Sequence, residues 1–401
     1  MSELSYMEKL LDGVAVEWKT LGEVAAYEQP TKYLVESKNY SDEFDTPVLT
    51  AGKTFILGYT DETKGINKAS ERPVIIFDDF TTANKWVDFD FKAKSSAMKM
   101  ITSEDESKFL LKYIYYYLNT LPNQLIDGDH KRQWISTFTQ MSIPIPPLKI
   151  QTEIVRILDA FTELTAELTA ELIARKQQYA YYREQLFNFE NNDFEWTTLG
   201  EITKKWYSGG TPRAGNSEYY EGGNIPWLRT QEVRFNDIEE TNVKITPAAL
   251  KNSSAKWIPE NCVIIAISGA TAGRSAINKI PLTTNQHCGC LEIDSTKALY
   301  RYVFHWVSLN YENIKALGQG ARGDLNSSII KNFRIPIPHA DHLEKSLAEQ
   351  ERIVAILDKF DTLTTSLTEG LPREIALRQQ QYEYYRELLL SFPKAEVADH
   401  D

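Results

Sequence analysis

Residues 177–186 read QQYAYYREQL and residues 380–389 read QQYEYYRELL, so the chain carries one tyrosine-rich segment twice. A second repeat precedes each copy: residues 154–161 read IVRILDAF and residues 353–360 read IVAILDKF. Both pairs have the apolar spacing of helices. The repeats therefore predict two related long helices within one chain.

Two shorter motifs are also duplicated. Residues 17–23 read EWKTLGE and residues 195–201 read EWTTLGE, while the sequence IPIP occurs at 143–146 and again at 335–338. Residues 6–13 precede the first EW motif much as the end of a helical repeat precedes the second. We therefore expect the two ends of the chain to lie close together and to complete a circular, pseudo-two-fold arrangement.

The stretches between the duplicated motifs show no obvious likeness to each other. This pattern is typical of a constant frame that holds two different modules. The expected domains are an N-terminal segment that completes the circular repeat, a first module, a first helical spacer, a second module, and a second helical spacer with a C-terminal tail, at 1–23, 24–142, 143–194, 195–334 and 335–401.

The apolar residues of the helical repeats alternate strictly by three and four positions, which is the seam of a coiled coil. Thr165 and Arg175 complete the spacing in the first copy. The second copy contains four extra residues, close to one helical turn, and Gly370 with Pro372 predicts a kink there. The seam positions are Leu158, Phe161, Leu168, Leu172, Tyr179, Tyr182, Leu186, Leu357, Phe360, Leu367, Leu371, Ile375, Tyr382, Tyr385 and Leu389.

Two arrangements of these helices are compatible with such a seam. One is a dimerising or purely structural coiled coil. The other packs the two copies on each other in antiparallel, because a globular segment lies between them, and gives a strut about 50–60 Å long. Residues 164–172 contain the unit TAEL twice in tandem, and one unit more or less would change the helix length by about 6 Å with little rotation of the seam.

Composition restricts the function further. A length of 401 residues predicts more than one domain, and a net charge of −12 disfavours a general binder of polyanions without excluding local basic faces. No apolar run approaches the ~20 residues that span a bilayer, and the N-terminus lacks the features of a signal peptide. Three cysteines are typical of a reducing compartment. We therefore expect a cytoplasmic protein that does not contact membranes.

Each module alternates short β-type runs with turn signals. The runs at 73–77 and 262–267 are typical of buried strands, and one helix is expected in each module, at 107–121 and 299–309. We therefore expect the modules to share a mixed α+β fold despite their different sequences.

Basic and amide side chains lie on the expected loops of both modules. Arg and Lys can contact guanine edges, Asn and Gln can contact adenine edges, and all of them can bind phosphate. Taken one at a time, each is better explained as a solvated surface group, so the clusters indicate more than any single member. The candidates for DNA binding are Lys92, Lys94, Lys99, Lys131, Arg132, Arg213, Arg229, Gln231, Arg274, Asn285, Gln286 and Arg322.

Other short motifs do not predict a catalytic or metal site. Residues 318–323 fit G-x-G-x-x-G, but no strand directly precedes them, which favours a flexible loop that presents Arg322. Residues 287–290 read HCGC, but a structural zinc site normally needs four ligands, and Cys262 lies in an expected strand. Because the chain also lacks a P-loop sequence, H-E-x-x-H and G-x-S-x-G, we expect no metal and no catalytic residues.

The ordered, duplicated set of motifs resembles the specificity (S) subunit of type I restriction–modification systems over essentially the whole chain. The resemblance rests on the paired IPIP segments, the IV-x-ILD-x-F helix starts, the QQY-x-YYRE blocks and the tandem TAEL unit. The tandem unit is similar to that of the type IC subgroup. The second helical repeat lacks it, so we expect the adjustable part of the spacer to lie in the first repeat.

This resemblance implies an α+β protein in which two mixed α/β target-recognition domains are separated by two long antiparallel coiled-coil helices. Each domain would read one half of a bipartite double-stranded DNA site, at a spacing set by the coiled coil. Two methyltransferase (M) subunits and the motor–nuclease (R) subunits of the full complex would carry out methylation and cleavage. S-adenosylmethionine, ATP and magnesium would then belong to those partners, and this chain would bind no cofactor.

Two other functions are compatible with the sequence. An orphan DNA-binding adaptor or regulator that works without a methyltransferase would have the same architecture. An enzyme that carries a nucleotide in the second module would instead use the motif at 318–323 and would lose nucleotide binding on Gly320→Ala.

Overall fold

The chain is divided into two compact units. The first unit comprises Met1–Thr169 and Glu374–Asp401, and the second unit comprises Ala170–Arg373. The N-terminal segment at 1–12 and the seam residue Leu367 lie outside the described residues. The residues that the computed structural model describes are 13–14, 16–52, 54–121, 133–189, 194–320, 323–366 and 368–392.

The first unit contains short strands and helices, followed by the first part of a long helix. The strands are β1 Glu17–Thr20, β2 Ala25–Glu28, β3 Thr46–Leu49, β4 Ile56–Thr60, β5 Val74–Asp78, β6 Asn84–Val87, β7 Lys92–Ala93, β8 Met98–Ser103 and β9 Ser142–Ile145. The helices are α1 Leu21–Val24, α2 Leu111–Leu118, α3 Gln133–Ser136 and the long helix α4 Leu148–Leu186, with 3₁₀ turns at Pro30–Tyr33 and Phe138–Gln140.

The second unit repeats this order of elements. Its strands are β10 Phe194–Thr198, β11 Thr203–Tyr207, β12 Ile225–Leu228, β13 Asn236–Ile238, β14 Lys244–Ile245, β15 Val263–Ala266, β16 Ser275–Asn278, β17 Thr283–Thr284, β18 Cys288–Ile293 and β19 Arg334–Pro338. The helices that follow α4 are α5 Pro247–Asn252, α6 Tyr300–Leu309, α7 Tyr311–Ala316, α8 Ser327–Asn332, α9 Leu343–Thr365 and α10 Gly370–Leu390, with 3₁₀ turns at Ser217–Tyr219, Thr230–Glu232 and Gly269–Thr271.

The two modules share one sheet topology, as the sequence analysis predicted. The larger sheet of the first unit has the strand order β2-β8-β5-β6, and that of the second unit has the order β11-β18-β15-β16-β13. The smaller sheets have the orders β4-β3-β7 and β14-β12-β17, each with one parallel and one antiparallel pair. The equivalent strands β5 and β15 are buried throughout, because VIIFD and VIIA are nearly continuous apolar runs. The expected α+β fold is therefore confirmed. Each strand of the first unit's sheets has an equivalent in the second unit, which adds β13 at one edge of its larger sheet.

The duplicated EW and IPIP motifs form the same two-stranded ribbon in each unit. Strands β1 and β9 pair antiparallel with Trp18 opposite Pro144, and strands β10 and β19 pair with Trp196 opposite Pro336. Each proline lies in a strand with a single partner, where the missing N–H disrupts no second ladder. The repeated motifs are thus the frame of each unit.

The TLGE motif closes a buried turn next to this ribbon. The Glu23 carboxylate accepts the Thr20 N–H at 2.6 Å, and the Glu201 carboxylate accepts the Thr198 N–H at 2.9 Å, which satisfies a free backbone donor in each unit. The leucine of each copy is fully buried. At the glycine, a Cβ atom would lie 3.1 Å from a backbone carbonyl oxygen in both copies, so the close approach favours glycine.

Two further pairs of side chains attach the module helices to the frame. The Tyr113 hydroxyl donates to the Pro144 carbonyl at 2.8 Å, and the Tyr302 hydroxyl donates to the Pro336 carbonyl at 2.7 Å. The fully buried Gln151 amide accepts the Leu110 N–H, and Gln350 accepts the Leu299 N–H in the same way. These bonds position α2 and α6 identically, although the rest of the two modules differs.

The helical repeats pack on each other within the chain. In the first unit the ring of Phe161 on α4 stacks on Tyr385 of α10 at 5.3 Å, and in the second unit Tyr179 on α4 stacks on Phe360 of α9 at 5.8 Å. The residue number of the stacking partner decreases as the residue number along α4 increases, so the pairing is antiparallel. Along α4, position 158 is buried, and the partly buried positions after it are 159, 161, 165, 168, 172, 175, 178, 179, 183 and 186, which include most of the predicted seam. Tyr182 is 40% exposed but still stacks on Phe360.

The predicted kink in the second repeat is an interruption. Helix α9 ends at Thr365 and α10 begins at Gly370, whose φ is +76°. A Cβ atom on Gly370 would lie 2.4 Å from the Thr362 carbonyl oxygen, so glycine is required at this turn. Pro372 lies in the first turn of α10, where its missing N–H has no helical partner to lose. The first repeat, by contrast, is one helix of 39 residues.

The C-terminal end of α10 completes the core of the first unit. Leu389 and Leu390 are buried in the same cluster as Leu21 and Val24. In the second unit Phe187, which follows α4, is buried with Leu199 in the equivalent place. The end of each helical repeat therefore packs beside an EW ribbon, as the circular order of the motifs predicted.

Candidate nucleic-acid interface

The second unit gathers polar loops at one edge of its sheets. Strands β12 and β17 run parallel with Leu228 opposite Thr284, so Arg229 and Asn285 leave the sheet at the same end. The loop 285–287 then leads directly into β18, whose first residue, Cys288, is opposite Ala266 at the end of β15. The hairpin turn that carries Arg274 therefore reaches the same edge.

The loop that carries Arg213 is fastened to this edge. The Thr211 hydroxyl donates to the Gln286 side-chain oxygen at 2.8 Å, and the Ser208 hydroxyl donates to the Gln286 carbonyl at 3.4 Å. Gly209 lies so close to Thr284 that a Cβ atom would be 1.7 Å from its carbonyl oxygen. Glycine thus lets the loop lie flat on β17, and exposed Arg213 follows two residues beyond Thr211.

The hairpin turn is joined to the same loop by Ser268, whose hydroxyl lies 2.7 Å from Nδ1 of His287. We call this end of the second unit its recognition edge, defined by Arg213, Arg229, Gln231, Arg274, Gln286 and His287. Arg213, Gln231, Gln286 and His287 are exposed, and Arg229 and Arg274 are partly exposed. The structure therefore brings most of the candidates of the second module together.

Arg229 of this edge and the neighbouring Asn285 are more buried than ordinary surface side chains. Nε of Arg229 is buried and has no hydrogen-bond partner among the described residues, and it lies 3.9 Å from the Glu232 carboxylate. The other guanidinium N–H groups can therefore donate to an acceptor outside the protein. Asn285 is 8% exposed, and its side-chain oxygen accepts the His287 N–H at 3.0 Å. Asn285 therefore shapes the loop, which corrects its assignment as a base-contacting side chain.

The first unit overturns two other candidates. Lys92 is 3% exposed and forms an ion pair with Glu62 at 2.6 Å, and Lys99 is fully buried 3.4 Å from Asp79. Both side chains are held inside the module, so neither is available to DNA. The sequence predicts a loop here because Lys92 follows an alternating β-type run at 86–91 and Lys99 is near, but both lie in strands, β7 and β8.

Lys94 remains near the surface of the first unit. It is partly exposed, and its Nζ donates to the Tyr40 hydroxyl at 3.0 Å. Lys131, Arg132 and Arg322 lie outside the described residues.

The topological match locates the equivalent recognition edge of the first unit, which sequence reasoning missed. Strands β3 and β7 run parallel with Leu49 opposite Ala93, so Thr50 and Lys94 correspond to Arg229 and Asn285. The β5–β6 turn at 79–82 corresponds to the turn with Ser268. We call Thr50, residues 79–82 and residues 94–97 the recognition edge of the first unit. Of this edge the sequence analysis named only Lys94, and the strand register shows the rest.

The metal and nucleotide motifs have structural explanations. Cys288 and Cys290 are fully buried in β18, and burial raises the pKa of the Cys288 thiol to about 12, so it is protonated at neutral pH. Among the described residues, His, Cys, Asp and Glu form no group of three or more that could hold a metal. Gln319 pairs with Asp324 in an isolated bridge after α7, so the glycine-rich motif does not follow a strand.

The sequence also matches known proteins. Residues 14–175 and 191–377 match the family described as the type I restriction modification DNA specificity domain. The chain is 54% identical to the type I restriction enzyme EcoR124I/EcoR124II specificity subunit of Escherichia coli, with all of both chains covered. It is 32% identical to a putative type I restriction enzyme specificity subunit of Haemophilus influenzae, covering 97% of this chain and 98% of that one.

The fold agrees with two solved structures. The type I restriction–modification S subunit from M. genitalium has a TM-score of 0.65 at 16% identity, and the alignment covers 96% of this chain and 98% of that chain. A chain from a structure of type I R-M complex assembly and conformational transition has a TM-score of 0.55 at 18% identity, covering 94% of this chain and 98% of that chain.

Two α/β modules carried on duplicated helices therefore define a DNA-specificity protein. The chain belongs to the type I restriction–modification specificity family, as the sequence motifs predicted. None of the helices in the described part of the chain is both long and apolar enough to cross a membrane.

Proposed function

We propose that each unit reads one half of a bipartite double-stranded DNA site on behalf of partner enzymes. The observation that carries this proposal is that one topology is repeated with different side chains on equivalent recognition edges. The second unit presents Arg229 and Gln231 where the first unit has Thr50 and its neighbours. Since the reading chemistry differs while the scaffold does not, the two half-sites should differ in sequence.

The recognition edge of the second unit suits direct readout of bases. Guanidinium groups of Arg213, Arg229 and Arg274 can bind phosphate or the O6 and N7 acceptors of guanine, and the amides of Gln231 and Gln286 suit adenine. The edge is basic although the whole chain has a net charge of −12. Local charge therefore supports DNA binding despite the acidic total.

The helices supply the spacing between the two half-sites in this proposal. Helix α4 has 39 residues, or about 58 Å at 1.5 Å per residue, and its residues belong to both units. Because the helix is uninterrupted, its length can fix the number of base pairs that remain unread.

The helical repeats also offer the same exposed group twice, which supports two copies of one partner. Tyr181 is 59% exposed and Tyr384 is 62% exposed, although neighbouring exposed positions have diverged, as in Ala180 and Glu383. Buried Nε atoms of Arg183 and Arg386 both lack a hydrogen-bond partner within the described residues. Each of these tyrosines contacts the next tyrosine of its own helix and still leaves more than half of its surface exposed. A surface repeated in this way suits a repeated contact, and we assign it to two methyltransferase subunits.

In this proposal the chain is a non-catalytic recognition subunit. Methylation with S-adenosylmethionine belongs to the methyltransferase subunits, and cleavage with ATP and magnesium belongs to motor–nuclease subunits of the full complex. An orphan adaptor that works without a methyltransferase is the alternative.

Co-expression with a cognate methyltransferase tests the proposal. We expect a complex with two methyltransferase subunits per chain by native mass spectrometry, and methylation of a split sequence by methylome sequencing. Tyr181→Ala combined with Tyr384→Ala should reduce methyltransferase binding, whereas Ala180→Glu, which copies the other repeat, should not. Failure of the wild-type chain to form a complex or to direct methylation would support the orphan adaptor instead.

A further inference from the structure

The β5–β6 turn of the first unit presents an aromatic ring to solvent. Phe80 at this turn is 47% exposed, whereas its neighbours Asp78 and Asp79 are 7% and 2% exposed. A single exposed ring is common on protein surfaces and indicates no contact by itself. Its place on this turn is what makes an external contact worth considering.

The turn is held rigidly by the residues beneath it. Asp78 accepts the N–H groups of Phe80 at 2.9 Å and Thr81 at 3.3 Å, and its carbonyl accepts the Thr82 N–H at 2.9 Å. The Asp79 carboxylate accepts the N–H of Trp134 at 2.9 Å and lies 3.4 Å from buried Lys99. Both acidic groups are thus directed inward and leave the ring as the protruding group.

The backbone at this turn is strained. Thr82 has a φ of +60°, a region that β-branched residues seldom occupy. Such strain persists where surrounding contacts impose it, and it is typical of positions that hold a functional group in place. The Thr82 side chain is 3% exposed, so the strained residue anchors the turn while Phe80 is displayed.

The turn belongs to the recognition edge of the first unit. Asp78 is opposite Met98, the first residue of β8, and residues 94–97 lead into that strand from β7. Lys85 on β6, which follows the turn, is exposed and can bind a phosphate. In the second unit the equivalent turn carries exposed Gly269 and Ala270, so the aromatic group is specific to the first unit.

On the basis of the proposed function, we propose that Phe80 is an apolar wedge that stacks on or between bases of the half-site read by the first unit. Apolar and aromatic side chains held on a rigid support are the groups with which DNA-binding proteins unstack or stack on bases. The consequence is local distortion in one half-site and not in the other. The residue then determines specificity through the ease with which its base step is opened.

The test uses the complex of the full chain with its methyltransferase subunits. Duplexes carry 2-aminopurine, which fluoresces more strongly when unstacked, at successive positions of each half-site. Each methyltransferase subunit turns its own target base out of the duplex, so the positions of the methylated bases and their neighbours are left unlabelled. At the remaining positions the wild-type complex should raise the fluorescence in the first unit's half-site alone. Phe80→Ala should abolish the rise and weaken binding by roughly 5- to 150-fold, the effect of losing one stacked base, whereas Phe80→Trp should keep both.

Leu148→Ala is the matched control. Leu148 is 38% exposed and lines a cavity with Glu104 and Lys108, beyond the end of β8 that lies farther from the turn. The control should bind and unstack DNA like the wild type.

Three results would overturn the wedge. A wild-type complex that methylates its site without a fluorescence rise shows that no base is unstacked, and a Phe80→Ala complex that keeps the rise shows that another group does so. Loss of methyltransferase binding in Phe80→Ala, with DNA binding unchanged, assigns the ring to a protein contact. Failure of the wild type and of Leu148→Ala to bind or methylate any DNA is a different outcome, because it removes the proposed function itself and the wedge with it.

Discussion

Lengthening helix α4 by one TAEL unit should lengthen the unread spacer of the DNA site without changing its half-sequences. The insertion is made after Leu172, within the 39-residue helix that contributes residues to both units. Four residues add about 6 Å of rise and about 40° of rotation beyond a full turn. At ~3.4 Å per base pair, the rise corresponds to about 1–2 base pairs.

The inserted unit supplies a leucine that continues the apolar seam of α4. Leu168 and Leu172 are partly buried seam positions, and another leucine four residues later stays close to the same face. An insertion of four alanines should give the same spacer, because length and not sequence is the cause. Five residues would instead rotate the following half of the seam by about 140° and should impair assembly of the complex.

Methylome sequencing of strains that carry each insertion is the assay. We expect both half-sequences to be retained, with the spacer longer by one or two base pairs after either four-residue insertion. An unchanged spacer, or altered half-sequences with the spacer intact, would refute the role of α4 in setting the distance.

The remaining predictions concern stability. Gly209→Ala should lower the free energy of unfolding by about 1–3 kcal/mol and disturb the Arg213 loop, because its Cβ would lie 1.7 Å from the Thr284 oxygen. Gly215→Ala is the control, because a Cβ there meets open space, and its free energy of unfolding should be nearly unchanged. Urea denaturation measures both. Burial raises the pKa of Asp358, but hydrogen bonds from His305 and Arg301 outweigh it and hold the pKa below the ordinary 3.8. This carboxylate therefore stabilises the fold above about pH 4 and loses that effect as the pH falls further, so Asp358→Asn should show a shallower loss of stability on acidification. Equal acid sensitivity of both proteins would contradict that assignment.

The repeated frame could be predicted from sequence because its contacts are local and duplicated. The IPIP and EW motifs occupy facing strands, the TLGE motif closes a turn, and the three-four alternation along α4 gives the burial pattern directly. The choice between a dimerising and an intramolecular coiled coil could not be made from the alternation alone. It is settled by stacking of Phe161 on Tyr385 and of Tyr179 on Phe360.

The recognition residues were less predictable, because exposure depends on strand register. Lys92 and Lys99 look like loop cations in the sequence, yet each is buried in a strand and paired with a carboxylate. Asn285 similarly lies on a loop but directs its oxygen to a backbone donor. Apart from Lys94, the edge of the first unit was found only by matching β3 and β7 to β12 and β17.

Methylome sequencing of Arg229→Ala with the cognate methyltransferase tests whether each unit reads its own half-site. We expect relaxed selection at one or two positions of one half-site, with a loss of about 1–3 kcal/mol in base discrimination for a bidentate contact. The other half-site and the spacer should remain unchanged. Equal loss of selectivity in both half-sites would contradict the assignment of one half-site to each unit.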